Sequence, residues 1–214
     1  MLLDVDGTLL DSNEAHARAY VEALRACGIE RSYEEVRRLI GMGGDRILPK
    51  LAEVDDESEL GQRITAKKRA IFRERYLPDL LPVRGARQLL EHLRERDLKL
   101  TVASSASKDE LHALLEAAGV DDLIEGATGS DDADESKPAP DIVEAAVRRS
   151  GLAEDQLLMI GDTPYDVEAA RRAGVGVIAV RSEGWADGAL AGALAIYDDP
   201  EDLLMHIVSS PLAA

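Results

Sequence analysis

Residues 1–12 read Met1-Leu2-Leu3-Asp4-Val5-Asp6-Gly7-Thr8-Leu9-Leu10-Asp11-Ser12, and this stretch decides how the rest of the chain is interpreted. A short apolar run ends in two aspartates one residue apart, followed at once by a glycine and a threonine. The pattern predicts a buried β-strand with two carboxylates at its tip. Crowded carboxylates cost free energy unless a cation or a reaction needs them. The stretch therefore predicts a functional site at the end of the first strand.

Apolar segments alternate with helical patterns along most of the chain. The helices are indicated by apolar residues at helical spacing, by polar N-caps and by glycines at their ends. One of them has the signature of a capping box at Ser107 and Glu110 and ends at Gly119. Such alternation predicts an α/β fold, a Rossmann-like parallel sheet with helices on both faces. The predicted strands cover residues 2–5, 98–103, 123–125, 157–160, 175–180 and, as a weaker candidate, 194–197.

One region breaks the alternation directly after the first strand. Residues 13–80 contain no convincing strand, but they do contain helical patterns. The segment 77–85, with two prolines and a glycine, reads as the return into the α/β part. We therefore predict a core formed by residues 1–12 and 81–214, interrupted by a helical module of residues 13–80. Its predicted helices are 13–27, 32–40 (with a capping box at Ser32 and Glu35), 45–53 and 58–76.

Composition limits the classes of partner. The chain carries 42 acidic and 25 basic residues, a net charge of −17, which disfavours nonspecific binding to nucleic acids and to anionic membranes. The single cysteine, Cys27, excludes an internal disulfide. We find no secretory signal pattern and no apolar run of membrane-spanning length. The expected protein is soluble and cytoplasmic and binds neither nucleic acid nor membrane.

Polar residues follow the predicted strands at the edge where open α/β sheets bind ligands. A carboxylate there can attack phosphorus and form an aspartyl-phosphate, which divides one difficult reaction into two easier steps. Mg²⁺ prefers carboxylate and water oxygens, while a lysine and a serine hydroxyl can bind phosphate oxygens. The set therefore predicts phosphoryl transfer with Mg²⁺ as cofactor. Its members are Asp4, Asp6, Ser104, Ser105, Lys137, Asp162 and Asp166.

Four segments together resemble the ordered motifs of the haloacid dehalogenase (HAD) superfamily. They are Asp4-Val5-Asp6-Gly7-Thr8, Ser104, Lys137-Pro138 and Gly161-Asp162-Thr163-Pro164-Tyr165-Asp166. The helical module resembles the α-helical C1 cap of that superfamily, and the resemblance covers essentially the whole chain. It implies the superfamily's Rossmann-like catalytic core with the cap inserted after the first motif.

The resemblance also implies a role for each carboxylate of the first and last motifs. Asp4 matches the nucleophile. Asp6 matches the acid/base residue that protonates the leaving group and then activates water. The Mg²⁺ ligands would be the carboxylates of Asp4 and Asp162 and the backbone carbonyl of Asp6.

The two middle motifs match positions that bind phosphate. Lys137 matches the lysine, and Asp166 matches an acidic residue that orients this lysine or the metal shell. Ser104 and Ser105 are adjacent candidates for the hydroxyl, and we prefer Ser104 because it directly follows the strand.

Within the helical module, five residues are candidates for contact with substrate: His16, Gly43, Gly44, Arg46 and Lys68. His16 resembles a histidine near the acid/base residue of C1-capped enzymes, although a surface histidine on a helix fits the pattern equally. Lys68 resembles a cap lysine that reaches the site. The glycines belong to residues 41–45, which follow no strand and lack the Lys-Ser/Thr of a phosphate-binding loop. We expect a cap loop that faces the cleft.

Several functions fit these motifs. Asp6 argues for phosphoryl chemistry, because dehalogenases of the same superfamily lack this second aspartate. One interpretation is a phosphatase acting on a small phosphorylated metabolite, and another is a β-phosphoglucomutase-like enzyme. Such mutases carry a cap arginine shortly after the glycine that matches Gly41, whereas this chain has Gly44 there and Arg46 nearby. This difference favours the phosphatase. A noncatalytic phosphate-binding protein is a third interpretation, which the complete set of site residues disfavours.

Overall fold

The computed structural model describes residues 1–182 and 184–213. Within these residues, six strands form one sheet: β1 (Leu2–Leu3), β2 (Thr101–Ala103), β3 (Gly126–Thr128), β4 (Leu158–Gly161), β5 (Gly176–Val180) and β6 (Ala195–Tyr197). Their order is β3-β2-β1-β4-β5-β6, and every neighbouring pair is parallel. The predicted α/β fold is confirmed. The strand order reverses between β1 and β4, which is where sheets of this kind bind ligands.

Helices surround this sheet and form the region after β1. In chain order they are α1 (Asn13–Ala26), α2 (Tyr33–Arg37), α3 (Gly44–Ala52), α4 (Glu59–Ile71), α5 (Ala86–Glu95), α6 (Lys108–Ala118), α7 (Asp141–Ser150), α8 (Pro164–Arg172) and α9 (Pro200–Met205). Across the described residues, none of the helices combines the length and the apolar composition needed to cross a membrane.

The two faces of the sheet have separate apolar cores. Leu3 and Ile160 belong to a cluster that α5, α6 and α9 cover, whereas Leu2 and Met159 belong to a cluster that α7 and α8 cover. Successive strand residues point to opposite faces, so both faces are packed and the strands read as continuous apolar runs. This packing fixes β1, β2 and β4 side by side, and the segments that follow them emerge at one edge.

Three strands differ from their predicted bounds by two residues or more, and one of them, β2, begins at Thr101 instead of residue 98. β1 ends at Leu3 instead of residue 5, because the amides of Leu9 and Leu10 turn back to the Val5 carbonyl at 2.8 and 3.0 Å. β3 lies three residues beyond the predicted segment 123–125. Residues Asp121–Leu123 instead form a 3-10 turn, and Leu123 packs against the core from outside the sheet. The predicted apolar residues are present, but Leu123 and Ile124 pack against the core without forming a strand.

Residues 13–80, which we term the helical segment, have an apolar cluster of their own. Its buried members lie between Ala17 and Ile64 and come from α1, α3, α4 and the region around α2. The predicted capping box of Ser32 and Glu35 is present. The predicted helix 58–76 is α4 followed by a π-helical turn, Phe72–Tyr76.

Candidate active site

A cleft of about 440 Å³ lies where the helical segment faces the carboxyl ends of the strands. Asp4 and Asp6 line it after β1, and Ser105 lines it after β2. His16 and Lys68 line it from the helical segment. Residues that are far apart in sequence therefore meet at the edge where the sequence predicts a site.

Lys137 lies at the inner end of this site, between two aspartates. Its ammonium donates to Asp4 Oδ1 at 2.5 Å and to Asp166 Oδ1 at 2.7 Å, and only 1% of the residue is exposed. Burial lowers the pKa of Lys137, but the two carboxylates outweigh this and raise it, so the side chain stays charged. Asp166 is fixed in turn by the first turn of α8, where its Oδ2 accepts from the Thr163 amide and hydroxyl.

Asp162 follows β4 and is fully buried. Its carboxylate accepts a hydrogen bond from the Asn13 side-chain amide at 2.8 Å and one from the Thr8 hydroxyl at 3.4 Å. Gly7 makes room for these contacts, because a Cβ there would lie 2.2 Å from both Asn13 Nδ2 and Asp162 Oδ2. The φ of Gly7 is +77°, which also favours glycine. Asn13 is a contact that sequence reasoning missed, because it reads only as the start of a helix.

The donor set here fits a divalent cation. Carboxylate oxygens of Asp4, Asp162 and Asp166 lie within 4.8 Å of one another, and all three residues are buried. Burial and the Asp166 carboxylate raise the pKa of Asp4 to about 8, although Lys137 acts in the opposite direction. A cation beside these oxygens would favour the ionised form of Asp4. All three residues offer carboxylate oxygens, which are the ligands that a hard cation such as Mg²⁺ prefers, and Asp166 is the one that also holds Lys137 and the first turn of α8.

Asp6 points away from Lys137, toward the start of the helical segment. Its Oδ1 accepts from the Ser12 hydroxyl at 2.5 Å and lies 2.8 Å from His16 Nε2. Burial raises the pKa of Asp6, but His16 and Ser12 outweigh it and lower the pKa to about 2. The two aspartates of the first motif therefore have different environments, one inside an acidic cluster and one beside a histidine.

Lys68 enters the cleft from α4 and contacts a residue of the α/β part. Its ammonium donates to Glu110 at 2.8 Å and lies 5.1 Å from the centre of the Phe72 ring, which stacks on His16. The predicted capping box of Ser107 and Glu110 is wrong, since Ser107 makes no side-chain cap and Glu110 pairs with Lys68 instead. Glu110 is thus a second cleft residue that sequence reasoning missed.

The two adjacent serines after β2 have different surroundings. Ser104 is fully buried, and its hydroxyl oxygen accepts from the Ala106 amide at 3.1 Å. Ser105 lines the cleft, and its buried hydroxyl has no hydrogen-bond partner among the described residues. The backbone bends after β2, so that Ser104 faces its own loop and Ser105 faces the cleft. We therefore replace Ser104 by Ser105 as the candidate hydroxyl.

The loop before α3 closes one side of the cleft, as expected. Gly43 and Gly44 line it, and a Cβ at Gly43 would lie 2.1 Å from the Ser136 hydroxyl. Arg46 does not belong to the lining, because its guanidinium pairs with Glu135 in the loop that leads to Lys137. The structure therefore brings together all the predicted candidates except Ser104, which faces its own loop, and Arg46, which bridges to the neighbouring loop.

Comparison with known proteins identifies the family. The sequence profile of haloacid dehalogenase-like hydrolases matches residues 1–180. A phosphoglycolate phosphatase of Rhodospirillum rubrum is 32% identical over 212 residues, which cover 93% of this chain and 86% of that protein. A hydrolase of Pseudomonas syringae is 35% identical, with a TM-score of 0.90 and 97% of each chain covered. The protein CbbY of Rhodobacter sphaeroides, solved in complex with xylulose-(1,5)bisphosphate, is 25% identical, with a TM-score of 0.79 and 94% of each chain covered.

These similarities extend along the chain and include the strand ends that build the cleft. The resemblance drawn from the four motifs is thereby confirmed. The chain belongs to the haloacid dehalogenase-like hydrolases, and it is an enzyme of that family.

Proposed function

We propose that this hydrolase is a Mg²⁺-dependent phosphatase that cleaves small phosphate monoesters through an aspartyl-phosphate on Asp4. The observation that carries the proposal is the inner end of the cleft, where Asp4 lies against the buried ammonium of Lys137 and beside an unpartnered serine hydroxyl. A carboxylate nucleophile next to fixed donors for phosphate oxygens is what phosphoryl transfer requires. Relatives named as phosphatases support the same reaction.

The proposed reaction has two steps. The reaction starts from the protonated form of Asp6. Asp4 attacks phosphorus, the phosphorus–ester oxygen bond breaks, and Asp6 gives its proton to the leaving alkoxide. Asp6 then takes a proton from a water molecule that attacks the aspartyl-phosphate, and the bond between phosphorus and Asp4 breaks. The products are an alcohol and inorganic phosphate, and both aspartates return to their starting state. Lys137 and Ser105 bind phosphate oxygens in both steps.

Mg²⁺, when bound, would neutralise the negative charge of the phosphoryl group and of the nucleophile. We propose Asp4, Asp162 and the Asp6 backbone carbonyl as its ligands. Asn13 and Thr8 orient the Asp162 carboxylate by their hydrogen bonds.

The helical segment acts as a cap in this proposal. It contacts the α/β core through Lys68 and Glu110 and through the pair of Arg46 and Glu135. A covered cleft of about 440 Å³ suits a small metabolite and keeps bulk water away from the aspartyl-phosphate. The sugar bisphosphate bound by CbbY is a ligand of that size class.

The proposal is tested by phosphate release from an aryl phosphate. We expect hydrolysis with added Mg²⁺, loss of activity with a chelator, and recovery when Mg²⁺ is restored, because the buried carboxylates need a cation to bind an anionic substrate. Phosphate binding without turnover on any ester would contradict the phosphatase and favour a binding protein. Conversion of β-glucose 1-phosphate to the 6-phosphate with a bisphosphate primer, without phosphate release, would favour the mutase.

The serine assignment gives a matched pair of variants. Ser105→Ala removes a hydrogen bond to a charged phosphate, so we expect kcat/KM for the aryl phosphate to fall about tenfold or more. Ser104→Ala removes an acceptor inside the loop, so we expect a loss of about 1 kcal/mol in the free energy of unfolding and a smaller kinetic effect. Phosphate release and urea unfolding measure both. A larger kinetic loss in Ser104→Ala than in Ser105→Ala would return the role to Ser104.

A further inference from the structure

We propose that the substrate is the phosphate monoester of a small amino alcohol, with its ammonium group in the outer part of the cleft. The inference rests on the proposed phosphatase function and adds a substrate class to it. It comes from the charges and the unsatisfied polar groups that line the cleft away from the phosphoryl end.

The cleft wall is acidic well beyond the two aspartates of the first motif. Its cationic side chains are Lys68 and Arg69, with His16 beside Asp6. Six further carboxylates line it: Asp45, Asp56, Glu57, Glu110, Asp131 and Asp134. A substrate with a second anionic group would therefore have to enter against the charge of the wall.

Local contacts neutralise only the inner part of this wall. Lys68 is paired with Glu110 at 2.8 Å, and Asp45 lies near Arg46 and accepts from the Ser136 amide. These contacts leave the charge at the mouth of the cleft unchanged.

The carboxylates at the mouth, which we term the outer acids, are Asp56, Glu57, Asp131 and Asp134. In the described ranges, none of them forms an ion pair, and Asp131 accepts only a backbone amide, that of Lys108. Arg69 is the cationic side chain left to oppose them. The outer acids thus leave an excess of negative charge where the organic part of a substrate would lie.

Glu57, Asp131 and Asp134 are exposed and Asp56 is half-buried, so the outer acids border the cleft on its solvent side. Asp56 and Glu57 belong to the turn between α3 and α4, in the helical segment. Asp131 and Asp134 follow β3, in the α/β part. The outer acids therefore face the cleft from both of its sides.

Tyr20 is an independent sign that a polar ligand fills the same space. The residue lines the cleft and is only 6% exposed, yet its hydroxyl forms no hydrogen bond with any described residue. Gly44 lies near this hydroxyl, and a Cβ there would be 3.6 Å from it, an ordinary van der Waals distance. The hydroxyl is open to the cleft, so a ligand there could reach it, and a donor such as an ammonium group would supply a partner.

Charge and polarity together select the class of substrate. The phosphoryl group is held at the inner end by Lys137, Ser105 and the metal ligands. An ammonium group a few ångströms away would be attracted by the outer acids and could donate to Tyr20, whereas a carboxylate there would be repelled. An uncharged hydroxyl group there would be neither strongly attracted nor strongly repelled by the outer acids. Small amino alcohols have this separation of an anionic and a cationic end.

Three substrates of equal length test the inference on the wild-type protein with Mg²⁺. O-phosphoethanolamine, 2-hydroxyethyl phosphate and 2-phosphoglycolate share a two-carbon chain and end in an ammonium, a hydroxyl and a carboxylate group. We expect kcat/KM to fall in that order, with about tenfold or more between the first and the last. Equal values, or a preference for the carboxylate, would overturn the inference.

A pair of double variants separates local from overall charge. Asp56→Asn/Glu57→Gln removes two outer acids, and we expect the preference for ammonium over carboxylate to fall about threefold or more. Glu154→Gln/Asp155→Asn removes the same charge from exposed positions before β4, at the opposite edge of the sheet, and should leave the preference unchanged. An equal effect in both double variants would contradict a local role of the outer acids.

Hydrolysis of the aryl phosphate shows whether the phosphatase proposal or only the proposed substrate class is wrong. If the protein hydrolyses neither the aryl phosphate nor any of the three esters, the phosphatase proposal fails and the substrate class fails with it. If it hydrolyses the aryl phosphate but prefers the carboxylate ester, only the substrate class is wrong.

Discussion

Replacing Asp4 with asparagine is expected to lower the rate of phosphate release from an aryl phosphate by at least about 10³-fold, because the amide cannot attack phosphorus. The variant keeps the size and shape of the side chain. Lys137 also keeps its contact with Asp166 at 2.7 Å, so the buried ammonium retains a counter-charge and the fold should persist. Steady-state phosphate release measures the loss, and a thermal unfolding curve establishes that the protein is folded.

Asp11→Asn is the matched control for this variant. Asp11 lies in the same segment and is exposed, and its contact with the neighbouring chain is made by its backbone amide, which donates to the Leu81 carbonyl. The same chemical change there should leave phosphate release within about twofold of wild type, as expected for an exposed substitution. Full activity in Asp4→Asn would remove the nucleophile from the proposed mechanism. A loss of phosphate release in both variants would indicate that activity depends on the conformation of this segment and not on the Asp4 carboxylate itself.

The sequence predicts this fold well because parallel strands are buried on both faces and read as apolar runs. The same topology explains why Asp4, Lys137 and Asp162 could be expected to lie together. Each follows an element that ends at the carboxyl edge of the sheet, so their meeting depends only on strand order. That inference needs no knowledge of side-chain geometry.

Side-chain direction within a loop could not be read in this way. Ser104 and Ser105 are chemically equal in the sequence, and only the turn after β2 decides which hydroxyl faces the cleft. Glu110 has the spacing of a capping residue, yet its carboxylate contacts Lys68, 42 residues earlier in the chain. Local signals compete with long-range ion pairs, and the ion pair prevails where burial strengthens it.

Asp6→Asn is expected to separate the two steps of the proposed reaction. Asparagine cannot take a proton from water, so hydrolysis of the aspartyl-phosphate should slow about 10²- to 10⁴-fold. An aryl leaving group departs without a strong acid, so the first step should proceed and a phosphorylated enzyme should accumulate. The expected record is a burst of about one phenol per enzyme followed by a slow steady state, with the phosphorylated protein detected by mass spectrometry.

An alkyl phosphate and a neighbouring variant complete this experiment. Alkoxide is a poor leaving group, so Asp6→Asn should give no burst with an alkyl ester, because both steps then need the missing proton. Ser12→Ala removes the hydroxyl that donates to Asp6 at 2.5 Å but keeps the carboxylate and its contact with His16, so its loss should stay near tenfold. Normal turnover of both esters by Asp6→Asn would exclude acid/base catalysis by this residue. An equal burst with both esters would restrict Asp6 to the second step, where its contact with His16 already favours the ionised form that accepts a proton.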